Sequence, residues 1–318
     1  MPPRLKPMLA TPGPLPDGTG WSFEFKWDGA RLLPATAGSR LRLLTRAGRD
    51  VTGSFPELVV LTEVLDGRQT ALDAELVALD HRGRPSFARL QKRLGVGRPT
   101  ADLLRHVPVA LYVFDLVHLD GASITAAPYR ERRDILAGLD LDLPGVLCVP
   151  PHVDGDRDAT WAAAVEHGLE GVVAKRVDAG YHPGRRSKAW IKKVIPHVAE
   201  VVLCGWLPGR GRLAGSIGAL VVGAYDRDNR LHYVGKVGGG LTGEQRRDLL
   251  EQLQPLRRAA APIHAETREL AAASWVDPVL VAQIAYRELT AGSQLRHPVW
   301  RGLIDTAGPT RAYLDELR

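Results

Sequence analysis

The chain has 318 residues, 45% of them hydrophobic and 25% charged, the composition of a soluble globular protein with room for about two domains. Its 42 basic residues exceed 36 acidic ones, a balance that suits a polyanionic partner, and no apolar run is long enough to cross a membrane. Two widely separated cysteines, Cys148 and Cys204, exclude a disulfide framework and a cysteine zinc site, so the expected setting is a reducing cytoplasm.

The proline-rich opening to about Gly20 lacks an apolar signal core and reads as an extended arm laid over the first domain. Trp21 to Ala30 reads as a strand. Arg31-Leu32-Leu33 then leads through Ala37-Gly38-Ser39 into Leu41–Arg46, a hairpin pattern. Phe55, Leu58, Val59, Thr62 and Leu65 fall at helical spacing, with Ser54 as the candidate N-cap. Ala71–Leu79 reads as a strand, Ser86–Leu94 as a short helix and Val109–Leu119 as a strand. A basic amphipathic helix is predicted from Tyr129 to Leu139, its Arg130-Glu131-Arg132-Arg133 run forming a solvated face. Trp161, Val165 and Leu169 mark another helix ending near Gly168, followed by strands Gly171–Lys175 and Ala189–Val194.

Pro196 is the best boundary, which divides the chain into 1–195 and 196–318. Beyond it come strand candidates Val201–Leu207, Gly218–Tyr225 and Leu231–Val237, a helix from Thr242 to Leu256, and apolar stretches at Val276–Tyr286 and Pro298–Ile304. That count fits a small barrel of the OB type. Gly238-Gly239-Gly240-Leu241-Thr242-Gly243 fits a dinucleotide fingerprint in letters only, because no βαβ unit surrounds it.

Chemistry concentrates in Glu24-Phe25-Lys26-Trp27-Asp28-Gly29-Ala30-Arg31. Lysine is scarce, eight residues in all, so one at a fixed offset from Asp-Gly and Arg invites a nucleophilic role, which an ammonium permits and a guanidinium does not. Taken alone, a strand-edge lysine paired with Asp28 reads equally well. A second concentration is Arg185-Arg186-Ser187-Lys188-Ala189-Trp190-Ile191-Lys192-Lys193; with Lys175 it holds half of all the lysines.

Lys-x-Asp-Gly-x-Arg resembles the nucleotidyl-transfer motif of the covalent nucleotidyltransferases: ATP-dependent DNA ligases, RNA ligases and mRNA capping enzymes. The longer run is most similar to the ATP-dependent ligases of bacterial end joining, and companion motifs follow in family order. The resemblance implies an α+β chain: a nucleotidyltransferase (adenylation) domain of antiparallel sheets with flanking helices, then an OB-fold barrel. It implies that Lys26 attacks the α-phosphate of ATP and becomes a lysyl-AMP, with Arg31 beside it and Glu24 near the adenine amino edge. Arg46 matches an arginine at the nucleotide and DNA phosphates. Glu75, in Asp73-Ala74-Glu75 where the family has Asp-Gly-Glu, matches a glutamate at the ribose or metal. Phe114 matches the phenylalanine that stacks on adenine, leaving Asp115 a structural or polar role. Glu170, ahead of Gly171 and a strand ending in Lys175, resembles a metal-site glutamate. Lys192 matches the first lysine of Trp-x-Lys-x-Lys, which holds the α-phosphate. Val194 replaces the second, so Lys193 serves only if the strand bulges. Arg301, in His297–Leu303, matches the arginine at the leaving pyrophosphate, although Ile304 stands where another cation is common.

The activity implied is ATP-dependent sealing of nicked or broken double-stranded DNA, with Mg2+ or Mn2+, in repair or end joining. The barrel domain would swing so that Lys236 faces the duplex. A compact monomer without polymerase or end-processing domains is expected, with Ku as a partner by family analogy only. The alternatives are an RNA ligase or capping-type enzyme, and a catalytically eroded nucleic-acid-binding paralogue.

Overall fold

The computed structural model describes residues 2, 4–263, 268–290, 292–304 and 312–317. Up to Ile195 these form strands β1 (Leu9–Pro12), β2 (Trp21–Lys26), β3 (Ala30–Ala37), β4 (Arg40–Thr45), β5 (Thr70–Val77), β6 (Ala110–Leu119), β7 (Ala122–Ser123), β8 (Leu147–Cys148), β9 (His152–Asp154), β10 (Gly171–Arg176) and β11 (Arg186–Val194). The α-helices are α1 (Leu61–Val64), α2 (Phe87–Leu90), α3 (Ala101–His106), α4 (Tyr129–Ala137) and α5 (Arg157–Glu166). Two sheets result, in the orders β1-β11-β10-β2-β9 and β4-β3-β5-β6-β7, with β8 added to β6.

Side-chain alternation explains the first sheet. Phe23, Val172 and Ala174 pack with Ala164 of α5, while Glu24, Lys26 and Lys175 belong to the other face. The arm supplies β1, parallel to β11 at the sheet edge. The second sheet buries Leu32, Leu72, Leu76, Leu111 and Val113 with Leu58 and Leu136 from the surrounding helical turns.

Trp21–Ala30 is two strands in two sheets, not one. The chain leaves β2 after Lys26 and joins β3 at Ala30. Gly29 makes the crossing possible, since a Cβ there would lie 2.3 Å from the Leu76 carbonyl oxygen. The Phe87 N–H donates to Asp28 Oδ2 at 3.0 Å and fixes the same crossing. The Phe55–Leu65 segment is a 3₁₀ turn, Pro56–Val60, running into α1, and Ser54 does not cap it; Phe55 holds the cap position without a side-chain bond. The solvated face expected on α4 is also corrected. Arg132 and Arg133 are buried, because Arg132 forms an ion pair with Asp115 through Nε–Oδ1 at 2.8 Å and Nη2–Oδ2 at 2.9 Å.

Contacts cluster the chain into two units, Met1–Ile195 and Pro196–Arg318. The second holds β12 (His197–Pro208), β13 (Ile217–Tyr225), β14 (Leu231–Val237), β15 (Arg257–Arg258), β16 (Ser274–Val276), β17 (Val281–Tyr286), β18 (Glu288–Leu289), β19 (Leu295–Arg296), β20 (Val299–Leu303) and α6 (Gly243–Leu253). Pairing runs β14-β13-β12-β17-β20, and a bridge between Gly239, just past β14, and Val299 of β20 brings the two ends together. This is the OB-type architecture, with α6 started by a Thr242/Gln245 capping box and packed on the barrel core through Leu249 and Leu253.

Candidate active site

A cleft of about 280 Å³ in the first unit is lined by Glu24, Lys26, Arg31, Arg46, Glu75, Phe114, Lys175 and Lys192, together with Trp27 and Trp190. Eight of the ten residues predicted from sequence thus share one wall system. Glu170 joins them through a direct contact between its Oε2 and the Lys26 ammonium. That contact follows from register, since Gly171 of β10 stands opposite Lys26 of β2. Lys26 therefore pairs with Glu170, and Asp28 serves the backbone of α2. Arg301 belongs to the second unit, exposed on β20, where Lys236 pairs with Glu269 at 2.6 Å.

Arg31 is held rigidly. Its Nε and Nη2 donate to the two oxygens of buried Asp73 at 2.7 and 2.6 Å, and Nη2 also to the Met8 carbonyl at 3.1 Å. Tyr181 donates to Asp73 Oδ2 at 2.5 Å and accepts from the Met8 N–H at 2.9 Å, so the arm, β3 and β5 meet at one carboxylate. Burial alone would lower the Arg31 guanidinium; Asp73, by charge and hydrogen bond, reverses this and raises it above the ordinary arginine range. The guanidinium stands 5.0 Å from the centre of the Phe114 ring.

Glu24 and Lys175 form a second, deeper pair at 2.7 Å. Burial would raise the Glu24 carboxyl, but Lys175 and Arg133, with hydrogen bonds from Lys175 and Tyr129, hold it below the usual carboxylate range. Lys175 is lowered by burial in spite of Glu24, and its ammonium lies 4.6 Å from the Phe114 ring centre and 4.5 Å from that of Trp190.

Glu75 lies opposite Arg31 across β3 and β5. Its burial raises the carboxyl to about 8; Lys26 and Arg31 oppose this, while Glu170 and Asp73 add to it. Glu75 and Glu170, whose charges act on one another, present carboxylate oxygens of the kind a hard divalent cation takes. Among the described residues no group of three or more His, Cys, Asp or Glu gathers; magnesium commonly takes one or two carboxylates plus phosphate oxygens, and Glu75 and Glu170 would supply the carboxylates.

The pairing of β10 with β11 is unbroken from Val172↔Lys193 to Lys175↔Trp190, so no bulge turns Lys193 inward. Its ammonium instead sits 4.1 Å from the Trp161 ring centre, on the α5 side, and Lys192 alone lines the cleft. Asp115 is structural, spent on Arg132 and the Leu116 N–H. Sequence reading missed Asp73, Tyr129, Arg133, Tyr181 and Trp190 as parts of the site. Asp73 was within reach, for Asp73 and Glu75 share one face of a strand whose other face is Leu72, Ala74 and Leu76.

Comparison with known proteins gives one answer over most of the chain. Residues 7–193 match the ATP dependent DNA ligase domain model, and residues 213–305 match the ATP dependent DNA ligase C terminal region. The chain is 38% identical over 303 residues to the multifunctional non-homologous end joining DNA repair protein LigD of Mycobacterium tuberculosis, covering 94% of this chain and 38% of that protein. A DNA ligase of Thermococcus onnurineus is 31% identical over 97% of this chain and 57% of its own length. The chain thus spans well under two thirds of these curated relatives. Among solved structures, a mycobacterial DNA ligase D complexed with ATP and MES aligns at TM-score 0.57 and 36% identity, covering 96% of this chain and 98% of that one.

Proposed function

This chain belongs to the ATP-dependent DNA ligase family, and from that premise we propose that it seals nicks in duplex DNA through AMP carried on Lys26. One observation carries the reading: the Lys26 side chain enters a cleft lined by Arg31, Glu75 and Lys192 while touching Glu170. Lys26 attacks as the free amine, its proton given up to solvent. A P–N bond forms at the α-phosphorus of ATP as pyrophosphate leaves. Phe114 stacks the adenine, Glu24 meets its amino group, and Arg46, Arg31, Lys175 and Lys192 balance the negative charge of the nucleotide. Magnesium or manganese held by Glu75 and Glu170 would neutralise phosphate charge when bound. Arg301 is assigned to the leaving pyrophosphate. The 5′-phosphate of the nick then takes AMP from Lys26, and the 3′-hydroxyl displaces AMP to close the strand.

The end-joining relatives make broken duplex ends a proposed substrate and an end-binding protein such as Ku a proposed partner, for a cytoplasmic monomer. No described helix is long and apolar enough to cross a membrane. The test is a sealing assay with nicked DNA and nicked RNA duplexes, each supplied with ATP or GTP. Sealing of DNA with ATP is expected. Sealing of RNA alone, or use of GTP alone, would move the chain to the RNA ligase or capping-type reading. Binding without sealing or AMP uptake would make it an eroded binder.

A further inference from the structure

Glu24 is buried at 5% exposure on the cleft wall, yet the residues that hold it come from distant parts of the chain. Lys175 of β10 takes one carboxylate oxygen, and the Tyr129 hydroxyl of α4 donates to the other in a short contact. Arg133, one turn further along α4, acts on the same carboxylate through its charge. Its Nη2 donates to the Pro150 carbonyl at 2.7 Å, while Nε and Nη1 are buried without a hydrogen-bond partner among the described residues. A guanidinium with two of its three nitrogens unpartnered is costly to bury, and the Glu24 carboxylate is a negative charge that acts on it.

We propose that Tyr129 and Arg133 are positioning residues that keep Glu24 an ionised, fixed hydrogen-bond acceptor, and so make the cleft prefer a purine with an amino group at ring position 6 over one with a carbonyl there. The inference rests on the nucleotide reading above. The carboxylate oxygens bound by Lys175 and Tyr129 each keep a lone pair, enough to accept from an exocyclic amine. An ionised carboxylate has no proton to give a carbonyl at that position and repels it, leaving buried polar groups unpaired. Removing the tyrosine hydroxyl or the guanidinium charge leaves the carboxylate to its pair with Lys175, so it is fixed less firmly as an acceptor and the discrimination against a 6-oxo purine weakens. His152, across from Glu24 on β9 and 3.3 Å from Arg133 Nη2, is an exposed titratable neighbour, and the buried Asp115 acts by charge on both Tyr129 and Lys175.

The experiment compares kcat/KM for covalent nucleotide uptake from ATP and from GTP in the full-length wild type, Tyr129→Phe, Arg133→Met and Arg133→Lys, with folding checked by circular dichroism melts. Tyr129→Phe and Arg133→Met are expected to lower the ATP-to-GTP ratio about tenfold, and Arg133→Lys to hold it within about twofold. A merely structural role would reduce both nucleotides alike and leave the ratio unmoved, which would overturn the inference while uptake from ATP kept the ligase reading intact. No uptake by wild type would count against that reading instead. Should Tyr129→Phe not be recovered folded, the Arg133→Met and Arg133→Lys pair decides the same question.

Discussion

Two buried carboxylates in the first unit are paired with different cations, and each gives a separate expectation. Glu24 is held below its unbound value of 4.5, so its contribution to stability is complete above that pH and lost as pH falls through the depressed value. Glu24→Gln, which strands the Lys175 ammonium, is expected to melt below wild type near neutral pH, with the gap closing in acid. A gap constant across melts from pH 7 to the acid range would contradict that assignment. Arg132 and Asp115, both fully buried, form the other case. Arg132→Met leaves the Asp115 charge unpaired and is expected to cost about 3–5 kcal/mol in chemical denaturation. Neither arginine was legible in the sequence as a core residue. Amphipathic spacing places Arg132 and Arg133 on one side of a helix but cannot say that an acid 17 positions away, or one more than a hundred away, waits inside. The Lys26 motif was legible because its residues are local and their order along the chain survives folding.

At the scale of elements, the site depends on where strands cross and which face each presents. Gly171 has φ +153°, and a Cβ there would lie 2.1 Å from the Lys193 carbonyl oxygen. Gly171→Ala must therefore part β10 from β11 beside Glu170, and nucleotide uptake is expected to fall with stability. Uptake at the wild-type rate would show that the register next to Lys26 is not needed. The neighbouring lysines separate by face. Lys192→Ala is expected to reduce uptake strongly, whereas Lys193→Ala loses its contact with Trp161, about 0.5–1 kcal/mol, and its charge near Asp158, and keeps uptake near wild type. The reverse ranking would mean that the second cation of this motif is supplied by a bulge after all. Strand existence was readable from alternation, and the Thr242 cap from its residues. The break at Trp27–Gly29 was not, because both sides carry β-compatible residues and only the approach of the Leu76 carbonyl requires the glycine.

The whole chain joins two units with separate cores, one around Leu72, Leu111 and Val113, the other around Val201, Leu220 and Ile284. Its excess of 42 basic over 36 acidic residues suits a polyanion, and binding to nicked duplex is expected to weaken at least about tenfold between roughly 50 and 200 mM salt. The OB-type character of the second unit was readable from five strand-like runs and one helix. The bridge between its two ends was not, since it joins Gly239 with Val299, residues 60 positions apart. The claim beneath all of this is that one amine, on Lys26, carries the nucleotide. Mass spectrometry of the protein after incubation with ATP and magnesium tests it most directly. The expected result is an AMP adduct on the peptide containing Lys26, removed by added pyrophosphate and absent from Lys26→Ala. An adduct on another residue, or one that persists in Lys26→Ala, would contradict it.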